Sequence, residues 1–133
     1  MPYFREVTPN FAVSPQISPE DVAQAKQSGF TLIINNRPDG ESPDQPTGSD
    51  IEAAATSVGL DYLSVPVVGR PTADQAAAVS RALAASKGKT LAYCRTGNRS
   101  ITAWALGELA SGRDRGDILR HAAGAGYDLS SVL

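Results

Sequence analysis

Short apolar runs alternate with amphipathic stretches along most of this 133-residue chain. Residues 4–7 and 11–13 read as two short strands around the turn Thr8-Pro9-Asn10. Ser18-Pro19-Glu20-Asp21 starts a helix, with Ser as N-cap, Pro at the first position and acids in the first turn. That helix carries Val22 and Ala25 inward and stops near Gly29. Residues 30–34, Phe-Thr-Leu-Ile-Ile, form a continuous apolar run, the pattern of a buried parallel strand. The next fourteen residues, Asn35 to Gly48, hold three prolines and two glycines and form a loop. Ser49-Asp50-Ile51-Glu52 caps a second helix with Ile51, Ala54, Ala55 and Val58 on one face. Gly59 ends it.

Residues 62–68 give another strand with a proline-containing exit. Thr72 to Gln75 is a capping-box start for an alanine-rich helix reaching about Ser86. A strand over 90–93 follows. Ile101, Trp104, Ala105 and Leu109 then mark a helical face that ends at Gly112. A last helix over 114–123 leads into a short tail. Strands alternating with helices predict one α/β domain over residues 1–133, three-layer αβα around a central, mostly parallel sheet. The first hairpin adds antiparallel edge strands. The loop after residue 34 leaves the end of a buried strand, which is where ligand loops sit in such sheets.

Composition changes this picture little but excludes much. Hydrophobic content is 41% and charged content 20%, both ordinary for a globular domain. A net charge of −2 makes no case for nucleic acid or an anionic membrane. No apolar run approaches the roughly 20 residues of a membrane helix. The first residues carry charges where a signal peptide needs an apolar stretch, so a cytoplasmic protein is expected. One cysteine and one histidine exclude an internal disulfide and a cysteine/histidine zinc site. No metal or cofactor is expected.

The chemistry concentrates in Cys94-Arg95-Thr96-Gly97-Asn98-Arg99-Ser100, between a predicted strand and a predicted helix. A lone cysteine is commonly a small buried hydrophobe. This one sits where loop N–H groups, a helix N-terminus and arginines can favour the thiolate. The same N–H groups would hold an oxyanion such as phosphate, sulfate or thiosulfate. Cys94 is therefore the candidate nucleophile and Arg99 its anion clamp. Gly97 permits torsions that a side chain resists. Thr96, Asn98 and Ser100 complete the candidate anion contacts. Arg95 either joins them or faces solvent. Arg37 reaches the pocket or is part of a turn, and Asp39 serves as an acid only if its loop folds over Cys94. His121 is read as structural or exposed, and Asp74 as a capping residue.

Cysteine-dependent phosphatases carry His-Cys, five residues, then Arg and Ser or Thr. Rhodanese-type sulfurtransferases commonly carry Cys-Arg-x-Gly-x-Arg. Four residues separate Cys94 from Arg99, Tyr93 stands in place of the histidine, and Arg95 matches the rhodanese second position. The loop thus resembles a sulfurtransferase loop. The rhodanese Asp-Val-Arg and Gly-His-Ile segments are absent. Element order, with Tyr62-Leu-Ser-Val-Pro-Val67 ahead of a long helix and the cysteine strand, resembles dual-specificity phosphatases. Their acid after Pro-Val has no counterpart in Val68-Gly69-Arg70-Pro71.

Nearly end to end, the chain resembles the phosphatase-like domain of the beta-lactamase hydrolase-like proteins, which occurs alone or fused to a sulfur dioxygenase. The carriers are residues 11–17, Ile33-Ile-Asn-Asn-Arg-Pro-Asp-Gly-Glu41, Val65-Pro-Val67, Tyr93 to Ser100 with Trp104, and Gly126-Tyr-Asp-Leu129. The resemblance implies a cysteine-dependent phosphatase-like fold, a place in sulfide and persulfide metabolism, and a sulfur dioxygenase as partner.

Sulfur transfer is the leading expectation. Cys94 would take sulfane sulfur from thiosulfate or a small persulfide and pass it to a thiol acceptor. Sulfite leaves as a stable anion, so no general acid is needed. Hydrolysis of phosphomonoesters through a phosphocysteine is the alternative. A non-catalytic anion-binding or docking module is the third.

Overall fold

The computed structural model describes residues 4–133, and the expectation for residues 1–3 lies outside them. Strands β1 (Arg5–Thr8) and β2 (Phe11–Ser14) form the first hairpin, followed by α1 (Pro19–Gln27), β3 (Phe30–Asn35) and α2 (Gly48–Ser57). Then come β4 (Asp61–Ser64), α3 (Ala73–Ala85), β5 (Lys89–Tyr93), α4 (Asn98–Ala110) and α5 (Arg115–Gly124). The sheet order is β1-β2-β5-β3-β4. Among the described strands only β1 runs antiparallel; β2 pairs parallel with β5, and β3 pairs parallel with both β5 and β4.

Alternate faces of the central strands feed two cores. Ile33, Leu91 and Tyr93 pack with Val22, Ala25, Ile51 and Ala55 of α1 and α2. Leu32, Ile34, Ala92 and Val13 pack with Val79, Ile101, Trp104 and Ile118 of α3, α4 and α5. This is the three-layer αβα arrangement. Trp104 stacks on Phe11 with ring centroids 5.8 Å apart.

The helix starts follow their sequence signals, with one shift. Capping boxes form at Ser18–Asp21 and Thr72–Gln75, and Asp114 caps α5. Thr47, not Ser49, caps α2: its hydroxyl accepts the Asp50 N–H, and the helix begins before Ser49. The strand expected over 62–68 ends at Ser64, ahead of Pro66, which has no N–H to donate. Its backbone still follows β3, with Val65 and Val67 donating to Asn35 O and Asn36 O. Leu109 is 37% exposed rather than inward. Helix α4 lies against β5 between α3 and α5, so residues 100–105 are buried on nearly every side. Gly107 permits the close approach to α3; a Cβ there would sit 3.1 Å from Ala76 O.

Neighbouring parallel strands deliver their C-terminal ends to one rim. Asn35 is opposite Tyr93 in the β3–β5 register. The loops after Asn35 and after Tyr93 therefore leave the sheet side by side.

Candidate active site

Cys94 is fully buried at the end of β5. The chain turns tightly after it, and the Gly97 N–H donates to Cys94 Sγ at 3.1 Å. Gly97 makes that turn as the residue before α4, with φ +91°, a region glycine enters at little cost. The sulfur thus lies under the first turn of α4, at its positive end.

Arg99 carries most of the electrostatics. Its Nη1 donates to Glu41 Oε2 at 2.8 Å and to Val67 O at 2.7 Å, and its Nη2 donates to Glu41 Oε1 at 2.8 Å. A guanidinium has five N–H donors in a fixed fork. Glu41 and Val67 take three of them, leaving Nε and the second Nη2 hydrogen. The hydrogen bonds that Arg99 donates to Glu41 strengthen its charged form, and the Cys94 charge adds to this. Arg99 therefore keeps two donors uncommitted in the loop that carries Cys94.

Glu41 is in turn held by the loop that follows β3. Arg37 is buried; its Nε donates to Glu41 Oε1 at 3.0 Å and its Nη1 to Gln16 Oε1 at 3.0 Å. Gln45 Oε1 accepts the Glu41 N–H, and Gln45 Nε2 donates to Pro38 O. Between two guanidinium groups, the Glu41 carboxyl is pulled down to about 2, the Arg99 hydrogen bond contributing most. It is a carboxylate throughout the neutral range and has no proton to give.

Asn36 ties this loop to the cysteine loop. Its N–H donates to Tyr93 O, its Nδ2 to Val65 O, and its Oδ1 accepts the Ser100 hydroxyl at 2.8 Å. Ser100 is fully buried, and its hydroxyl proton is directed to Asn36.

The remaining sequence candidates fall into distinct places. Thr96 and Asn98 are exposed, and Thr96 Oγ1 accepts the Asn98 N–H at 3.3 Å. Arg95 is exposed, while its backbone carbonyl accepts the Gln16 N–H. Arg37 reaches the site through Glu41 rather than directly. Asp39 points its carboxylate to the start of α2, where Oδ1 accepts the Gly48 N–H at 2.8 Å. His121 is half-buried on α5, with Nδ1 3.0 Å from Val7 O. Burial pushes the Tyr93 hydroxyl far above its ordinary value, so the side chain standing where phosphatases carry histidine stays neutral.

A cavity of about 340 Å³ opens beside Arg99, lined also by Gly69, Arg70, Asn98, Thr102 and Val132. Val68, in the segment after Pro66-Val67, is 81% exposed. No cluster of three metal-ligating side chains occurs among the described residues. No helix among them is long and apolar enough to cross a membrane.

Two residues at this site, Glu41 and Tyr127, lie within motifs quoted from the sequence but were given no site role there. Glu41 closes the loop motif at i+4 from Arg37, a spacing that could have signalled their pairing. Tyr127 donates its hydroxyl to Thr96 O at 2.8 Å from a segment 31 residues away, and the Gly126-Tyr-Asp-Leu129 motif by itself does not show that it meets the cysteine loop.

The family model for the phosphatase-like domain of the beta-lactamase hydrolase-like protein matches residues 3–111. A beta-lactamase hydrolase-like protein of Xylella fastidiosa is 37% identical over 132 residues, covering 96% of this chain and 30% of that protein. One from Agrobacterium fabrum is 38% identical over 115 residues, covering 84% and 26%. The chain thus spans less than a third of the length of these curated relatives. A candidate phosphatase from Neisseria meningitidis superposes with a TM-score of 0.86 at 28% identity, covering 96% of this chain and 92% of that one. TpbA from P. aeruginosa, a Cys-to-Ser form in complex with phosphotyrosine, shares the fold with a TM-score of 0.66 at 21% identity, over 92% and 73% of the two chains. The strand order, the cysteine loop under α4 and these likenesses agree: the fold is that of the cysteine-dependent phosphatases, and the chain belongs to the phosphatase-like domain family of the beta-lactamase hydrolase-like proteins.

Proposed function

We propose that this domain hydrolyses phosphomonoesters, aryl phosphates above all, through a phosphocysteine at Cys94. The observation that carries the reading is Arg99, with its Nε and one Nη2 hydrogen uncommitted, in the same short loop as a sulfur held by the Gly97 N–H. That pair offers a nucleophile and a planar two-donor clamp for a tetrahedral oxyanion. The likeness to cysteine-dependent phosphatases supports the same choice. The order of the two leading expectations from sequence is thereby reversed.

In this reading the Cys94 thiolate attacks phosphorus. The S–P bond forms, the ester P–O bond breaks, and the oxyanion leaves with the electron pair. Arg99 and the loop N–H groups hold the equatorial oxygens. Water then cleaves the S–P bond, releasing inorganic phosphate and restoring the thiolate. An alkoxide leaving group wants a proton, worth roughly 100- to 10,000-fold in rate. Glu41 is ionised and the Asp39 carboxylate is turned to the Gly48 N–H at the start of α2, so neither supplies one. A phenoxide is far less basic than an alkoxide and needs that proton less, an activated one such as p-nitrophenoxide least of all. The cavity beside Arg99 has room for a small ring.

Sulfur transfer is the second reading. Two observations favour it: the four-residue spacing from Cys94 to Arg99, and the lack of an uncommitted carboxyl group at the sulfur among the described residues. Cys94 would attack the outer sulfur of thiosulfate. The S–S bond breaks, sulfite leaves with the electron pair, and a Cys94 persulfide remains for a thiol acceptor. A sulfur dioxygenase partner belongs to this reading.

One experiment separates the two. Purified protein and Cys94→Ser are given p-nitrophenyl phosphate, an alkyl phosphate, and thiosulfate with mass detection. Cys94-dependent release of p-nitrophenol, with little alkyl phosphate turnover, is the expected result. One added sulfur on Cys94 with no p-nitrophenol release would reverse the order of the readings.

A further inference from the structure

An anion cradle made of peptide N–H groups needs those groups inward and the matching carbonyls outward. Five carbonyls in and beside the cysteine loop have donors that hold them in place. Tyr93 O accepts the Asn36 N–H at 2.8 Å, Arg95 O the Gln16 N–H at 3.2 Å, and Gly97 O the Ile101 N–H at 3.0 Å. Asn98 O accepts the Thr102 hydroxyl at 2.7 Å. Thr96 O accepts the Tyr127 hydroxyl at 2.8 Å. Only this last bond comes from a side chain outside both the loop and α4.

The peptide that Tyr127 holds is also the one freest to turn over. It joins Thr96 to Gly97, and Gly97 has φ +91° and no Cβ to resist rotation. Turned over, it would aim the Thr96 carbonyl into the cradle. It would also take the Gly97 N–H off Cys94 Sγ, to which it now donates at 3.1 Å. The site would then offer an anion a carbonyl oxygen in place of a donor. We infer that Tyr127 is a positioning residue that locks the 96–97 peptide in its anion-binding orientation.

The phenol is well placed for that task. Its ring lies close over the turn, where a Cβ on Gly97 would collide with the Tyr127 hydroxyl. The Arg5 guanidinium lies 5.8 Å from the ring centroid, and its Nη1 donates to Ala125 O at 3.4 Å. Burial raises the phenol above its ordinary value, with Arg5 pulling down and Cys94 pushing up, so the hydroxyl stays a donor at neutral pH. Tyr127 also lies outside residues 3–111 matched by the family model. The inference rests on the loop being an oxyanion site, the premise shared by both proposed chemistries.

The test uses Tyr127→Phe, which keeps the ring and removes the donor. Cys94 alkylation by iodoacetamide is followed with increasing tungstate, an inert tetrahedral oxyanion, alongside the melting temperature. Losing one neutral hydrogen bond should raise the tungstate needed for half-protection by about five- to tenfold, with kcat on p-nitrophenyl phosphate falling by a similar factor. The melting temperature should hardly move, because that hydroxyl is partly exposed. Arg5→Ala removes the stacked cation but leaves the hydroxyl, and should keep tungstate protection within about twofold. Equal protection of wild type and Tyr127→Phe would overturn the inference, as would an equal loss in Arg5→Ala. Failure of tungstate, phosphate and thiosulfate alike to protect wild-type Cys94 would overturn the oxyanion reading itself.

Discussion

Glu41→Gln is the sharpest single test of how the site is built. The wild-type carboxylate accepts two hydrogen bonds from Arg99 at 2.8 Å each and one from Arg37 at 3.0 Å. Glutamine keeps the shape but loses the charge, and one oxygen becomes an NH₂ that can only donate. At least one contact then sets donor against donor. A hydrogen bond to a charged group is worth about 1.5–3 kcal/mol, and a solvent-exposed ion pair about 0.2–1 kcal/mol. The Glu41 side chain is 29% exposed, which favours the lower part of that range. Loss of about 1.5 kcal/mol in aligning Arg99 lowers kcat about tenfold. Removing a negative charge beside the anion site acts the other way on the ground state, so inorganic phosphate should inhibit the variant more strongly. Steady-state hydrolysis of p-nitrophenyl phosphate from pH 4.5 to 8, with and without phosphate, reads both effects. Because the Glu41 carboxyl lies at about 2, no limb of the wild-type pH profile belongs to it. An unchanged kcat would refute the positioning role. Disappearance of a basic limb in the variant would show that Glu41 is a proton donor and refute the electrostatic argument. The same shift sets a stability signature. Its folded value is depressed below the ordinary 4.5, so its contribution is present above pH 4.5 and is lost as pH falls through about 2. The melting-temperature gap between wild type and Glu41→Gln should therefore be steady at neutral pH and close progressively in acid.

Three further outcomes follow from buried contacts. Asn36→Ala leaves the Ser100 hydroxyl and Val65 O without their partner in a buried position, and should cost about 2–3 kcal/mol in urea unfolding; a loss under about 0.5 kcal/mol would show that the loops are not coupled through Asn36. Gly97→Ala places a Cβ against the Tyr127 hydroxyl at φ +91°, so it should lose about 1–2 kcal/mol or more of stability along with Cys94-dependent turnover. Combining it with Tyr127→Phe should recover only part, because the torsion stays unfavourable; full recovery would assign the whole effect to the collision. Thr90 is fully buried in β5 and its hydroxyl has no partner among the described residues, so Thr90→Val should stabilise by up to about 1 kcal/mol in the same assay, and a clear destabilisation would reveal a hidden partner.

Legibility in the sequence followed the range of the interaction. Ser18–Asp21 and Thr72–Gln75 act within one helical turn: the Ser18 N-cap and the Thr72–Gln75 capping box stand where their residues suggested, and Asp21 completes a box at the first. The apolar run 30–34 lies within β3, a central strand, because a segment buried on both faces has no polar side to show. The α2 start was misplaced by two residues because Thr47 and Ser49 carry equivalent capping hydroxyls. The inward face of α4 was drawn too narrow because all-round burial depends on its neighbours. At the site, Cys94, Gly97 and Arg99 were visible as a short motif. Glu41, which orients Arg99, was not: the two lie 58 residues apart and meet only in the folded chain.

By itself the sequence determined the alternation of strands and helices, the cap positions within a turn, and the cysteine loop with four residues between Cys94 and Arg99. Those features depend on torsional preference and local hydrogen bonding, which neighbours in the chain settle between themselves. Tertiary structure alone decided what the loop meets. Placing β3 beside β5 in parallel brought Asn36, Arg37 and Glu41 to the rim where Cys94 and Arg99 emerge. Packing the tail after α5 over the loop set Tyr127 on Thr96 O. Such pairings are fixed by the order in which strands are laid into the sheet, and no local pattern along the chain encodes that order.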